Sequence, residues 1–181
     1  MKGGQDINEK KMNYLRKLIS IKLKDRKEEE RGILLEEGSE WIIILSLFTD
    51  YMLDGYKIIN KKYIMSIYQT EDDIFTEKVL DANNKIPTSF SAKIPLTSNQ
   101  LFIYLYETRT TFQLHLNRES SFYMGYIKEV LPKSFYFLPM NPKGKWLNYH
   151  FLFRMTYIRI VEIETDYTNS LLAYNKSTYS E

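Results

Sequence analysis

Apolar residues alternate with polar residues in short runs along most of the chain, as at Ile19, Ile21 and Leu23. This alternation is typical of β-strands that bury one face. We predict strands near residues 18–25, 30–36, 40–48, 53–60 and 62–68, and again near 110–117, 121–130, 134–140, 146–153 and 157–163. Because these runs are short, rich in Ile, Tyr and Phe, and follow one another directly, they favour antiparallel pairing.

Helix and turn signals separate the predicted strands. A helix over residues 8–16 would be capped by Asp6 or Asn8, and a helix over 98–107 by Thr97 or Ser98. Short helical turns are predicted over the similar runs 75–80 and 167–172. The run Asn141-Pro142-Lys143-Gly144 predicts a turn, since proline suits its second position and glycine its fourth.

The second half of the chain repeats the first. Gly32 and Gly125 each lie in a second strand, 93 positions apart, and Trp41 and Phe135 each open a third strand. The pair Tyr63-Ile64 returns 94 positions later as Tyr157-Ile158. An offset this steady indicates a tandem duplication. We therefore predict a first repeat over residues 1–82, a proline-containing linker over 83–97 and a second repeat over 98–181.

A helix followed by five bent strands, with glycine in the second strand, resembles the Sm-like small barrel. The fold class we predict is mainly β with short helices, in the form of two tandem five-stranded Sm-like or SH3-like barrels. Closure into a barrel would remove open sheet edges.

The family's RNA-binding residues are largely missing from the matching loops. Sm-like proteins that bind RNA carry Asp and Asn after the second strand, where this chain has residues 36–40 (EEGSE) and 131–134 (LPKS). They also carry Arg-Gly between the fourth and fifth strands. Here only Arg154 matches that arginine, and Met155 replaces the glycine. The resemblance therefore implies the scaffold more than the RNA site.

Composition argues against catalysis. The chain has no cysteine and two histidines, and it contains no glycine-rich phosphate loop or nucleophile elbow. We expect a protein that is not an enzyme, with no cofactor and no metal. His115 corresponds to Lys22 in the first repeat and is expected to point to solvent, and His150 is expected to have no catalytic or ligand role.

Two acidic groups are predicted to be solvated. The cluster Glu71-Asp72-Asp73 is interpreted as a solvated loop with acids that cap a helix, with a cation site as the alternative. The alternating acids Glu162, Glu164 and Asp166 are interpreted as an exposed strand face.

Charge and hydropathy favour a soluble, cytoplasmic protein. With 25 Lys and Arg against 23 Asp and Glu, the net charge is +2, too small for a strong field toward nucleic acid or membrane. The longest apolar run, residues 41–48, is less than half of a membrane-spanning helix, and the N-terminus has no apolar segment of a signal peptide.

Two functions from different classes are compatible with these patterns. The favoured one is a non-enzymatic binding or adaptor protein that acts through protein contacts of its two repeats, with a protein partner or self-association. The alternative is an RNA-binding or single-stranded nucleic-acid-binding Sm-like module. Its basic and aromatic residues would contact phosphates and stack on unpaired bases, and the candidates are Lys61, Lys62, Tyr63, Arg154 and Tyr157.

Overall fold

A computed structural model describes residues 14–118 and 121–179, and within them it shows a mainly β protein, as predicted. The strands are β1 (Leu18–Leu23), β2 (Glu29–Glu37), β3 (Trp41–Thr49), β4 (Met52–Asn60), β5 (Ile64–Tyr68), β6 (Phe112–His115), β7 (Phe122–Leu131), β8 (Ser134–Met140), β9 (Phe151–Arg154) and β10 (Ile160–Ile163). The helices are α1 (Glu71–Ala82), α2 (Ser98–Glu107) and α3 (Asp166–Tyr179). Two 3₁₀ turns, Lys61–Tyr63 and Met155–Tyr157, join β4 to β5 and β9 to β10.

All these strands lie in one antiparallel sheet, in the order β5-β1-β2-β3-β4-β10-β6-β7-β8-β9. Each half of this order is the same arrangement of five strands. The register also agrees, because Gly32 pairs with Ser46 and Gly125 with Pro139. The register of the second strand shifts once in each half, around Leu35 in β2 and around Lys128 in β7, again 93 positions apart. The two repeats therefore share their pairing pattern.

The strands do not close into two barrels, so the architecture predicted from the sequence needs correction. They form one open sheet in which β4 pairs with β10, from Ile59 opposite Ile160 to Tyr56 opposite Ile163. The free edge of the first repeat is thus covered by a strand of the second repeat rather than by closure on itself. Within the described residues, β5 and β9 remain as the outer edges.

Two buried clusters hold the sheet together. One, formed by Ile19, Ile21, Ile42 and Ile44 among others, is centred on the first repeat. Helix α2 joins the other cluster through Phe102, which stacks on Phe135 with ring centroids 4.8 Å apart. Beside aliphatic residues, the second repeat gives this other cluster four phenylalanines, Phe102, Phe112, Phe135 and Phe137, whereas Trp41 is the one buried aromatic residue that the first repeat contributes. The repeats thus share a backbone pattern but fill it with side chains of different shape.

Helix α1 begins at a capping box. The Thr70 hydroxyl accepts from Asp73 N–H at 3.0 Å, while the Asp73 carboxylate accepts from Thr70 N–H at 2.9 Å. Asp73 is fully buried and also accepts from Ser20 and Arg31. Glu71 and Asp72 are exposed, so the helix-capping interpretation of this acidic cluster is confirmed but the solvated one is wrong for Asp73.

The other predicted helices have mixed outcomes. Helix α2 is confirmed, with Thr97 at its N-cap but without a capping bond from that side chain. The predicted closing turns are parts of the longer helices α1 and α3. Of the predicted helix over 8–16, residues 14–16 form no helix, and the rest, with Asp6 and Asn8, lies outside the described residues.

The connections of the second repeat shorten its strands. The turn at Asn141 is confirmed, since Gly144 N–H donates to Asn141 O at 2.9 Å and Gly144 has φ 73°. Strand β9 begins only at Phe151, and the second 3₁₀ turn delays β10 until Ile160. Residues 85–96 have no regular structure.

Candidate functional site

The candidate residues lie on the two 3₁₀ turns, which the pairing of β4 with β10 brings side by side. Asn60, at the end of β4, holds this junction through two bonds to the opposite turn. Its N–H donates to Arg159 O at 2.9 Å, and its side-chain amide donates to Ile158 O at 3.1 Å. We call the line where β4 meets β10 the inter-repeat seam.

The two lysines of the first turn are largely engaged in the fold. Lys61 Nζ donates to Glu37 at 2.7 Å and to Gly38 O at 3.0 Å. The carbonyl of Lys62 accepts from Lys24 Nζ at 2.8 Å, and its own ammonium lies 5.3 Å from the centroid of the Tyr63 ring. These contacts leave Lys62 as the freer of the two cations.

Tyr63 is a structural residue of the seam. Its hydroxyl donates to Thr156 O, and the guanidinium of Arg159 lies 3.9 Å from its ring centroid. Arg159 is held in place by Asp25 Oδ2, at 2.6 Å from its nearer nitrogen. One face of Tyr63 is therefore covered by Arg159 and is closed to a stacking base.

Arg154 and Tyr157 of the second repeat remain open. Arg154 is exposed at the end of edge strand β9. Tyr157 is 53% exposed, and its carbonyl accepts from Arg159 at 2.6 Å. The structure thus brings Lys62, Tyr63 and Tyr157 to one end of the seam, but their contacts serve the junction more than a ligand.

A network of charged side chains, which the sequence analysis missed, crosses the seam beside this site. Glu30 accepts from Arg26 at 3.0 Å and from Lys57 at 2.6 Å. Lys57 Nζ also lies 3.4 Å from Glu162, and His115 Nε2 lies 3.2 Å from the same carboxylate oxygen. We call these five residues the seam charge network.

Two predictions about this network were wrong. His115 and Glu162 are both 9% exposed, not solvent-facing. The cause is that β6 and β10 lie in the middle of the ten-stranded sheet, whereas Lys22, the counterpart of His115, lies near its edge. A signal was present in the sequence, because Lys57 interrupts an apolar strand between Tyr56 and Ile58.

The network shifts the ionisation of its members. Burial alone would raise the pKa of Glu162, but its contact with His115 and the charge of Lys57 outweigh burial and hold that pKa below its ordinary value. Burial alone would lower the pKa of Lys57, and the charges of Glu30 and Glu162 overcome it and raise that pKa. Both residues therefore stay charged near neutral pH.

Clusters of metal-ligating residues and long apolar helices are both missing from the described part of the chain. No group of three or more His, Cys, Asp or Glu is placed there to hold a metal ion. No helix among the same residues has the length and apolar character needed to cross a membrane. His150 is exposed, beside Tyr149.

Comparison with protein-family models, with curated proteins and with solved structures finds no significant match. The resemblance to Sm-like proteins therefore stays a prediction, and the function has to be inferred from the molecule itself.

Proposed function

We propose that this protein is a non-enzymatic binding protein that acts through protein–protein contacts along the outer edges of its sheet, and that the partner of each edge is a second copy of the chain. The inter-repeat seam carries this proposal. In it, the fourth strand of one repeat pairs with the fifth strand of the other. The outer edges are β9, the fourth strand of the second repeat, and β5, the fifth strand of the first repeat. Strand β9 of one copy could therefore pair with β5 of the next copy as β4 pairs with β10 within the chain.

The seam predicts the register of the contact between copies. Counterparts in the fourth and fifth strands are 94 positions apart, so the internal pair Ile58–Val161 corresponds to Leu152 opposite Ile67 of the next copy. Strand β9 pairs only with β8, and β5 only with β1, so each has one backbone edge free to pair within the described residues. Free edges of this kind are templates for another strand.

The side chains on these edges suit such a contact. Leu152 is 56% exposed and Met65 is 62% exposed, so pairing of the edges would remove apolar surface from water. At the seam, Arg159 lies over the ring of Tyr63. The counterpart residues are Met65 and Tyr157, so the same contact between copies places a thioether against an exposed aromatic ring, a favourable arrangement.

A contact of this kind joins different surfaces of the two copies and can therefore repeat. Repetition gives a ring if the rotation per copy closes, and a filament if it does not. Either assembly presents many identical repeats to other proteins, which is how an adaptor acts. The nucleic-acid alternative at the 3₁₀ turns has weaker support, because Lys61 and Tyr63 are engaged within the seam.

Sedimentation velocity and native mass spectrometry over a wide concentration range test the proposal. We expect oligomers of the wild-type chain, and we expect Leu152→Lys to dissociate them, because a lysine on the edge would have to be desolvated. Phe48→Lys is the matched control. Phe48 is 71% exposed but lies at the end of β3, away from both edges, so this variant should assemble like the wild type.

A rescue experiment tests the register itself. Phe151 and Tyr68 correspond to Lys57 and Glu162 of the seam. The single variants Phe151→Lys and Tyr68→Glu should each weaken assembly, and the double variant should restore it by recreating the seam's ion pair between copies. A wild-type chain that is monomeric at every concentration would overturn self-association, and a double variant weaker than both singles would overturn the register.

A further inference from the structure

A cavity of about 530 Å³ lies outside the seam, between the end of α2, strand β7 and the loop that carries Trp146. This volume lies within the range of about 300–1,000 Å³ that is usual for small-molecule sites. Its wall contains three aromatic rings, those of Tyr106, Tyr126 and Trp146. The cavity takes no part in the seam, so a ligand bound in it would be independent of self-association.

The aromatic wall is fixed by the backbone around it. Trp146 is anchored by a bridge to Met140 and by the bond from Leu147 N–H to Pro139 O at 3.0 Å. Its ring meets that of Tyr126 edge-on, at 85° and 4.9 Å between centroids. Tyr106, at the end of α2, is 42% exposed. Such a wall offers flat faces to a planar ring.

Two cations complete the wall. Arg109 and Lys128 both line the cavity, and neither has an ion-pair partner among the described residues. Lys128 Nζ lies 5.9 Å from the centroid of the Tyr126 ring, so a cation stands next to an aromatic face. Glu107 is the one acid among the described residues of the wall, and with the two cations these residues give a local charge of +1.

At each of these two positions the backbone or the core would favour another type of residue than a cation. Arg109 directly follows the C-cap of α2 with φ 50°, a left-handed conformation in which glycine is the usual residue. Lys128 lies at the register shift of β7, where the first repeat has buried Leu35. At the register shift the second repeat therefore carries a basic side chain where the first contributes to the core, whereas the counterpart of Arg109, 93 positions earlier, is Arg16 with φ 65°.

We infer that this cavity binds a free nucleotide, with the base against the aromatic wall and the phosphate between Arg109 and Lys128. A planar ring and a phosphate within one small ligand match the two chemistries that the wall combines. A free nucleotide fits better than a nucleic-acid strand, because two side chains make up the cationic part of the wall in the described residues and the chain's net charge is only +2.

Titration of the wild-type chain with uridine and adenosine monophosphates tests this inference, with calorimetry and tryptophan fluorescence as readouts. We expect saturable binding that quenches Trp146, since the other tryptophan, Trp41, is fully buried. The corresponding nucleosides, which lack the phosphate, should bind more weakly by about tenfold or more, because a charge-assisted contact is lost.

Two variants separate loss of the site from loss of folding. Arg109→Gly removes the guanidinium but suits the left-handed backbone, so nucleotide affinity should fall about tenfold while the melting temperature is unchanged or higher. Lys128→Leu introduces the residue of the first repeat and should weaken binding to a similar degree. Lys78→Leu, an exposed position on α1, is the matched control and should bind like the wild type.

The outcomes decide the inference. Nucleotide binding that both cavity variants weaken and the control does not would support it. Absence of nucleotide binding, or binding that Arg109→Gly and Lys128→Leu leave unchanged, would overturn it. A single-stranded oligonucleotide that binds more than about a hundredfold tighter than the mononucleotides would also overturn it, in favour of a nucleic-acid strand as the ligand.

Discussion

The seam charge network makes a quantitative prediction for Glu30→Gln. Glu30 accepts from Arg26 and Lys57, and its side chain is 12% exposed. Glutamine keeps the shape but removes the charge. Arg26 would then retain Leu116 O at 3.2 Å and Lys57 would retain Glu162 at 3.4 Å, while the single amide oxygen of glutamine replaces the two carboxylate oxygens that accept from them.

The loss in free energy of unfolding depends on which buried charges Glu30→Gln leaves without a partner. Removing one partner of a buried ion pair costs about 3–5 kcal/mol when the other charge stays buried without compensation, which here applies to Arg26, whose side chain is 4% exposed, because Lys57 keeps Glu162. With a urea dependence of about 2 kcal/mol/M, the unfolding midpoint should fall by about 1.5–2.5 M. Glu162→Gln should cost less, about 1–3 kcal/mol, since Lys57 keeps its closer contact with Glu30.

Urea unfolding followed by circular dichroism is the assay, with Glu29→Gln as the control. Glu29 lies next to Glu30 on β2 but is exposed, and its bond with the Tyr68 hydroxyl is at the surface, so its loss should cost about 1 kcal/mol or less. If Glu30→Gln were no more destabilising than Glu29→Gln, or if Glu162→Gln cost more than Glu30→Gln, the reasoning would be refuted.

Three further predictions concern the fold. Asp73→Ala should lower the free energy of unfolding by about 2–4 kcal/mol in urea, because it removes the buried acceptor shared by Ser20, Arg31 and the Thr70 N–H, whereas Thr70→Ala should cost about 1 kcal/mol as a lost cap. The pKa values of Asp73 and Glu162 are lowered by folding, so their stabilisation is complete above the unfolded values of 3.8 and 4.5 and is lost as the pH falls through the lowered folded values. Melting temperatures measured down this pH range should therefore fall, and less steeply in Asp73→Asn. Gly125→Ala places a Cβ 2.1 Å from Leu138 O and should cost about 1–3 kcal/mol in calorimetry, and a variant as stable as the wild type would contradict the close approach of β7 and β8.

Local pattern predicted the strands well because each strand carries its own signal. The run Trp41–Thr49 is apolar over most of its length, and its boundaries match the prediction to within one residue. The offset of 93 positions between Gly32 and Gly125 predicted a duplication, and the structure gives both glycines the same register because a neighbouring carbonyl comes close to each. The alternation within a strand and the comparison of the two repeats need no knowledge of the partner strand.

The pairing of β4 with β10 and the partners of Lys57 in the charge network could not be predicted, because both depend on which distant edges meet. The sequence of β4 is compatible with closure on its own repeat and with pairing to β10. His115 and Lys22 are counterparts in the two repeats, but their side chains have different neighbours because only β6 lies next to β10 at the seam. The correspondence between His115 and Lys22 therefore predicted correctly that His115 lies in a strand, but it predicted wrongly that its side chain faces solvent.

The strands of the seam, β4 and β10, and those of the outer edges, β9 and β5, are counterparts that could exchange partners. Their side chains distinguish the two pairings. At the seam, Lys57 lies opposite Glu162, whereas the proposed contact between copies brings Phe151 opposite Tyr68. Exchanged pairing would place Phe151 against Glu162, or Lys57 against Tyr68, and would bury a charge without its partner. The ion pair therefore favours the pairing within the chain, and the aromatic pair favours the pairing between copies.

Specificity of this kind depends on the mismatched combinations as much as on the matched ones. In a duplicated chain with identical edges, only the effective concentration that the linker provides would favour pairing of its own repeats over pairing with those of a neighbour. Here the cost of an unpaired buried carboxylate or ammonium separates the two choices by more than an apolar contact alone would. For this reason the double variant at Phe151 and Tyr68, which makes the outer edges resemble the seam, should restore assembly and at the same time allow the seam and the outer edges to exchange partners.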